Sequence, residues 1–155
     1  MASRAAGAMV SDREAVMSTS GVATEHEEQT ALIKWWSWYS QWMGLPRCLL
    51  MAIPNGGRRS SITGARLKAE GVRAGIPDLF LAVPTGDSHG LWLEMKRKRG
   101  GFVTDFQREA MKALEAQGFA CVVCRGFTEA QEAIVSYLRP LRDKSASGDE
   151  DHVDA

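Results

Sequence analysis

Apolar residues along the chain change their period several times, and each change predicts an element. From Glu25 to Trp42, the residues Ala31, Leu32, Trp35, Trp36, Tyr39 and Trp42 recur at helical spacing. Thr24 then supplies a capping hydroxyl, Glu25, Glu27 and Glu28 place carboxylates at the positive dipole end, and Gly44-Leu45-Pro46 stops the helix. Leu49-Leu50-Met51-Ala52-Ile53 is a short apolar strand closed by the turn Pro54-Asn55-Gly56-Gly57. Ser61 to Glu70 reads as a second helix ending at Gly71. Asp78 to Val83 and Leu91 to Lys96 are two strands, joined as a hairpin by Pro84-Thr85-Gly86-Asp87-Ser88-His89-Gly90. Thr104 caps a helix reaching Gln117-Gly118, Ala120 to Cys124 is a further strand, and Thr128 caps a last helix that Pro140 ends. The order α-β-α-β-β-α-β-α predicts an α/β fold, a mixed sheet flanked by helices.

At either end this patterning fades. Residues 1–23 are rich in Ala, Ser, Gly and Met without a sustained period and read as a flexible arm. Residues 141–155 are polar and acidic and read as a disordered tail, leaving one domain at 24–140. The chain is 45% hydrophobic and 25% charged, ordinary for a globular domain. Its apolar runs fall well short of the roughly 20 residues a membrane span needs, and the N-terminus lacks the apolar core of a secretory signal. Cys48, Cys121 and Cys124 suit a reducing, cytoplasmic setting better than a disulfide framework. Cys121 and Cys124 face opposite sides of a strand and read as packing rather than as half of a zinc site.

The net charge of zero conceals a strong asymmetry. Residues 47–125 carry thirteen basic and seven acidic side chains, whereas 126–155 carry three and seven. A positive middle between acidic ends suits a phosphate-rich partner.

The chemistry concentrates on two neighbouring strands. Asp78 follows Pro77 at the start of one, and Glu94-Met95-Lys96 lies inside the next. Alternate strand residues share a face, so Glu94 and Lys96 point together and Met95 points away. Where the strands pair, Asp78 and Glu94 converge on one hard cation, Mg²⁺ or Mn²⁺, with Lys96 beside it. Such a cation polarises a phosphate and acidifies a bound water, and the lysine orients that water and offsets developing charge. A lone Glu-x-Lys is more often an exposed ion pair. Here Leu91, Trp92 and Leu93 make the strand largely buried, where ionisable groups are expensive without a function.

Gly71-Val72-Arg73-Ala74-Gly75-Ile76-Pro77-Asp78-Leu79 followed by Glu94-Met95-Lys96 resembles the PD-(D/E)xK nuclease superfamily, in particular its VRR-NUC family. Glu25-His26-Glu27-Glu28-Gln29 opening the first helix, Pro54-Asn55-Gly56-Gly57 after the first strand, and Gln107 on the helix after Glu-x-Lys extend the similarity over about 25–138, with no departure at the metal-binding positions. The resemblance implies a restriction-endonuclease-like core and a divalent-metal-dependent DNA endonuclease, of a stand-alone type found in phages and prophages. Some members resemble Holliday junction resolvases and act as homodimers on branched DNA. It further implies Asp78, Glu94 and the Met95 carbonyl as metal ligands, Lys96 as catalytic lysine, and Gln107 in the catalytic set. Glu25 would add a ligand and Gln29 would support it, with Glu27 a rival for the place; simple dipole complementation is the alternative for these glutamates.

Arg97, Lys98 and Arg99, with Arg58, Arg59, Arg66, Lys68 and Arg73, are candidate phosphate contacts, and a solvated surface is their alternative. Asn55, with Gly56 and Gly57, would offer backbone amides to a phosphate, or form a plain turn. Trp35, Trp38, Tyr39 and Trp42 are expected to form the core stripe of the first helix, with Trp36 elsewhere and the aromatic excess serving a dimer surface. A catalytically silent nucleic-acid-binding or assembly module is the competing reading; intact Asp78, Glu94 and Lys96 argue against it.

Overall fold

A computed structural model describes residues 23–54, 61–86 and 88–147. The elements are α1 (Glu25–Trp42), a single 3₁₀ turn (Arg47–Leu49), β1 (Leu50–Ala52), α2 (Ser61–Ala69), β2 (Leu79–Leu81), β3 (Leu91–Lys96), α3 (Asp105–Glu115), β4 (Ala120–Arg125) and α4 (Gly126–Ser147). Their order is the one the periodicity predicts.

The four strands form one sheet in the order β1-β2-β3-β4. β1 and β2 are antiparallel, β2 and β3 form the expected antiparallel hairpin, and β3 and β4 run parallel through the α3 crossover. The pairing Leu79↔Leu93 and Leu81↔Leu91 assigns every side chain to a face. Leu79, Leu81, Leu91, Leu93, Met95 and Cys124 turn toward α1 and α4 and meet Leu32, Trp36, Ala130, Ile134 and Leu138 in the buried core. Phe80 and Trp92 stack on the opposite face, with Phe119 edge-on to both.

Three features depart most from the sequence reading, each for a physical reason. Of the expected core stripe of α1, Tyr39 is buried and Trp35 packs against the core, but Trp38 and Trp42 lie outside it. The core arc runs through Glu28, Leu32, Trp36, Tyr39 and Ser40, while Trp38 and Trp42 are 63% and 60% exposed. Trp36 belongs inside because its indole N–H donates to the Arg47 carbonyl at 2.8 Å, closing the turn between α1 and β1. The last helix starts at Gly126 rather than after a Thr128 cap: the Glu28 carboxylate, reaching from α1, accepts the Phe127 N–H at 2.7 Å. Pro140 does not end α4, which continues to Ser147 and so takes in residues 141–147 of the anticipated tail. A proline removes the hydrogen bond to the carbonyl four residues back. That carbonyl belongs to Ser136, an exposed residue whose backbone water can satisfy.

The α1 assignment makes opposite demands on two tryptophans. Trp36→Ala should cost about 3–5 kcal/mol, and Trp38→Ala should stay within about 0.5 kcal/mol, as read by urea denaturation at dilutions where the chain is monomeric. Similar losses for both would contradict the core arc.

Candidate active site

Asp78 lies one residue before β2, and the register places it opposite Glu94. The segment carrying it is clamped from both sides. Its carbonyl accepts the Ile53 N–H at 2.8 Å beside β1, and its Oδ2 accepts the Met95 N–H at 2.9 Å on β3. Continuing the register, Pro77 stands opposite Met95. A strand residue directs its N–H and C=O to the same neighbour. The Met95 carbonyl therefore points to the Asp78 side, where Pro77 has no N–H to offer it. The proline thus keeps one potential metal-binding oxygen out of the β ladder.

The turn before Pro77 depends on a glycine. Gly75 has φ +87°, and a Cβ there would lie 2.5 Å from the Phe106 carbonyl oxygen in the first turn of α3. This close approach brings α3, with Gln107, over the acidic end of the sheet. Thr104 and Gln107 form the capping box of α3: the Gln107 amide oxygen accepts the Thr104 N–H at 2.9 Å. With its oxygen so occupied, the amide group turns its NH₂ outward, and Nε2 donates to Glu94 Oε1.

Glu94 is the centre of the group. It is 1% exposed, Lys96 Nζ lies 2.6 Å from its Oε1, and its Oε2 is buried without a hydrogen-bond partner. One oxygen therefore has two donors and the other has none. A buried carboxylate oxygen in this condition is unfavourable unless a cation or another donor fills the gap. Burial pushes the Asp78 and Glu94 carboxyls above their ordinary range; the Met95 amide and Lys96 counteract this, and the neighbouring carboxylates, Glu25 included, push further upward.

Glu25 comes to the same end of the sheet, where its Oε1 accepts the Arg97 N–H at 3.1 Å. Among the described residues no three His, Cys, Asp or Glu side chains gather tightly enough to hold a metal by themselves. Two carboxylates and a carbonyl suit an ion such as Mg²⁺ that keeps several of its waters. Gln29 is half-buried, one turn beyond Glu25. Glu27 is not brought to the site: its carboxylate accepts the Thr24 N–H at 2.7 Å and closes the cap of α1.

The basic candidates divide. Arg97 and Lys98 leave β3 into solvent, Lys98 reaching Glu28 at 3.3 Å, and Arg99 is exposed beside them. Arg66 pairs with Glu70 at 2.8 Å, the Arg73 guanidinium donates to the Lys68 carbonyl, and all four residues are exposed. Asn55, Arg58 and Arg59 lie outside the described residues, as do Gly56 and Gly57. Cys48, Cys121 and Cys124 are free thiols, and burial pushes Cys121 to about 11 and Cys124 to about 12.

The sequence reading missed Glu28. It is 6% exposed and joins α1, Lys98 and the start of α4. The available signal was its place four residues before Leu32 and eight before Trp36, a carboxylate at the head of the apolar arc.

With this geometry established, comparison with known proteins is decisive. The model of the VRR-NUC domain matches residues 23–128. The chain belongs to the VRR-NUC family. A solved structure described as a VRR_NUC domain protein superposes with a TM-score of 0.65 at 29% sequence identity, covering 76% of this chain and 90% of that one. No curated protein matches the chain. The mixed sheet and its helices fit a restriction-endonuclease-like core, and the VRR-NUC domain assigns a nuclease-type function. No helix among the described residues is long and apolar enough to cross a membrane.

The raised carboxyls of this VRR-NUC site carry a pH signature. A carboxyl whose folded pKa exceeds its unfolded one favours folding while protonated; that contribution is present below about pH 4 and is lost as pH rises through the folded pKa. In EDTA at pH 7, Asp78→Asn should therefore be more stable than the wild type by about 0.5–2 kcal/mol. The gap should close as pH falls toward 4, followed by urea denaturation. A variant less stable at pH 7, or a gap independent of pH, would contradict the electrostatic reading.

Proposed function

We propose that this VRR-NUC protein is a divalent-metal-dependent DNA endonuclease. The observation that carries the reading is the divided state of Glu94, whose Oε1 is held by Lys96 and Gln107 while Oε2 lies buried without a donor, in register with Asp78. Asp78, Glu94 and the Met95 carbonyl would hold Mg²⁺ or Mn²⁺, with Glu25 the candidate for a further oxygen and Gln29 supporting it. When bound, the ion polarises the scissile phosphate and makes its coordinated water acidic.

The protein's own groups have distinct tasks. Gln107 fixes the rotation of the Glu94 carboxylate, so that Oε2 rather than Oε1 is the oxygen on offer. Lys96 places a positive charge against the same carboxylate and retains two N–H donors for a water or a phosphate oxygen. Those donors orient the attacking water and offset the charge that grows on the phosphate. Arg73, Arg97, Lys98 and Arg99 would position the backbone either side of the cut without reading its sequence. Free thiols suit action in a reducing cytoplasm, and the family resemblance favours a role in phage replication, repair or recombination.

Removing any of Asp78, Glu94 or Lys96 as alanine should lower Mg²⁺-dependent cleavage by about 10²–10⁴-fold. Gln107→Ala should lower it by about 10–100-fold, because it acts through Glu94. Labelled linear and branched DNA incubated with Mg²⁺ or EDTA gives the measurement. Wild-type protein that binds DNA but never cuts it would favour the silent binding module.

Cutting both strands, or resolving a junction, takes two sites related by symmetry, so the working form we propose is a homodimer. The exposed Trp38 and Trp42, one turn apart on α1, offer apolar surface for it. Light scattering should give twice the chain mass of 17.0 kDa, and a monomer both alone and on branched DNA would leave a nicking enzyme.

A further inference from the structure

Among the described residues the two most exposed large apolar side chains are Phe102, 84% exposed, and Phe106, 68% exposed. They lie four positions apart, on either side of the capping residue Thr104. Both are attached to the candidate active site through their backbone. Phe102 follows Gly101, where a Cβ would come within 2.9 Å of the Lys96 Cβ. Phe106 precedes Gln107, the partner of Glu94, and its carbonyl is the atom against which Gly75 packs. Neither ring contributes to the core, and a phenylalanine left in water forgoes the stabilisation of burial.

We propose that Phe102 and Phe106 form an aromatic platform at the rim of the metal site that stacks unpaired nucleobases next to the scissile phosphate. The inference rests on the nuclease reading and deepens it by naming the substrate class, DNA with single-stranded or splayed nucleotides at the cut. Cations lie beside the rings in sequence: Arg97, Lys98 and Arg99 immediately precede the Gly100-Gly101 turn into Phe102, Arg97 and Lys98 facing Glu25 and Glu28, and Arg108, paired with Asp105, follows Phe106 by two. Positive charge for a backbone interleaved with exposed aromatic faces is the composition of a single-strand-binding surface. Bases inside a duplex offer no free face, so only unpaired ones can use it. A protein partner fits less well, since the neighbouring Arg97, Lys98 and Arg99 suit a phosphate backbone, whereas charged residues are depleted from the core of a protein interface.

The test uses the full chain with Ca²⁺ replacing Mg²⁺, so that DNA is bound and not consumed. Affinity is measured by fluorescence anisotropy on a duplex bearing a ten-nucleotide single-stranded overhang, and on the same DNA with abasic sites throughout the overhang. Wild type should prefer the base-containing overhang by about tenfold and quench 2-aminopurine placed in it. The Phe102→Ala/Phe106→Ala double variant should lose both the preference and the quenching, and the corresponding double tryptophan variant should retain them. Equal affinity of the wild type for the two DNAs, or a preference that survives the double alanine variant, overturns the platform. Cleavage in Mg²⁺, followed on the same DNAs, separates the two readings: wild type that cuts without base preference refutes the platform and leaves the nuclease standing, and wild type that neither cuts nor binds refutes both. A wild-type dimer that the double alanine variant converts to monomer would assign the rings to a protein interface and overturn the proposal.

Discussion

The carboxylate of Glu94 sits in the third strand of the sheet, almost out of reach of solvent, and the surrounding residues are arranged around that burial. An ionised group in such a place needs donors, and the chain supplies them from two directions: Lys96 from the same strand, two residues on, and Gln107 from the helix that follows. Both go to one oxygen. Asp78 arrives opposite, held by the Met95 amide, and adds a second negative charge instead of relieving the first. Asp78, Glu94 and Lys96 are held by a single pair of neighbouring strands and Gln107 by the first turn of a capped helix, so the geometry is set by regular backbone and not by flexible loops.

The glycine and proline that precede Asp78 serve that imbalance. Gly75 lets the chain pass against the first turn of α3 closely enough that its capping glutamine reaches Glu94. Pro77 withholds an N–H from the carbonyl of Met95. Each removes something, a Cβ in one case and a hydrogen-bond donor in the other, and the candidate site uses the space and the oxygen so released. This is a physical reason for a Gly-x-Pro-Asp sequence at the mouth of a strand.

Much of this was legible before any coordinates. Period-2 and period-3.6 patterns placed every strand and helix in order, and the spacing of Asp78 from Glu94 foretold a hairpin that sets them side by side, because local pairing follows from local sequence. The failures arose where tertiary context overrides local pattern. Periodicity alone could not choose which arc of an aromatic-rich helix meets the sheet, so Trp36 was assigned outside and Trp38 inside. Thr128 looked like a cap because the true acceptor, Glu28, lies 99 residues earlier. Pro140 looked like an end because propensity does not register that the carbonyl it orphans faces water. At the site, the roles of Glu25 and Glu27 were ambiguous in so acidic a helix start, until the cap on Thr24 claimed one carboxylate and the Arg97 amide the other.

The bond between Glu28 and the amide of Phe127 also bears on how the chain is made. At ordinary rates of protein synthesis, the 99 positions that separate them take on the order of 5–20 s to make. For that interval the Glu28 carboxylate lacks the Phe127 amide, and the apolar arc of α1 lacks Ala130, Ile134 and Leu138 of α4. Native closure waits for the end of the chain, a contact of high sequence separation that cannot form early. The apolar arc of α1 is therefore fully covered only once synthesis has nearly finished, when the last helix closes over the first.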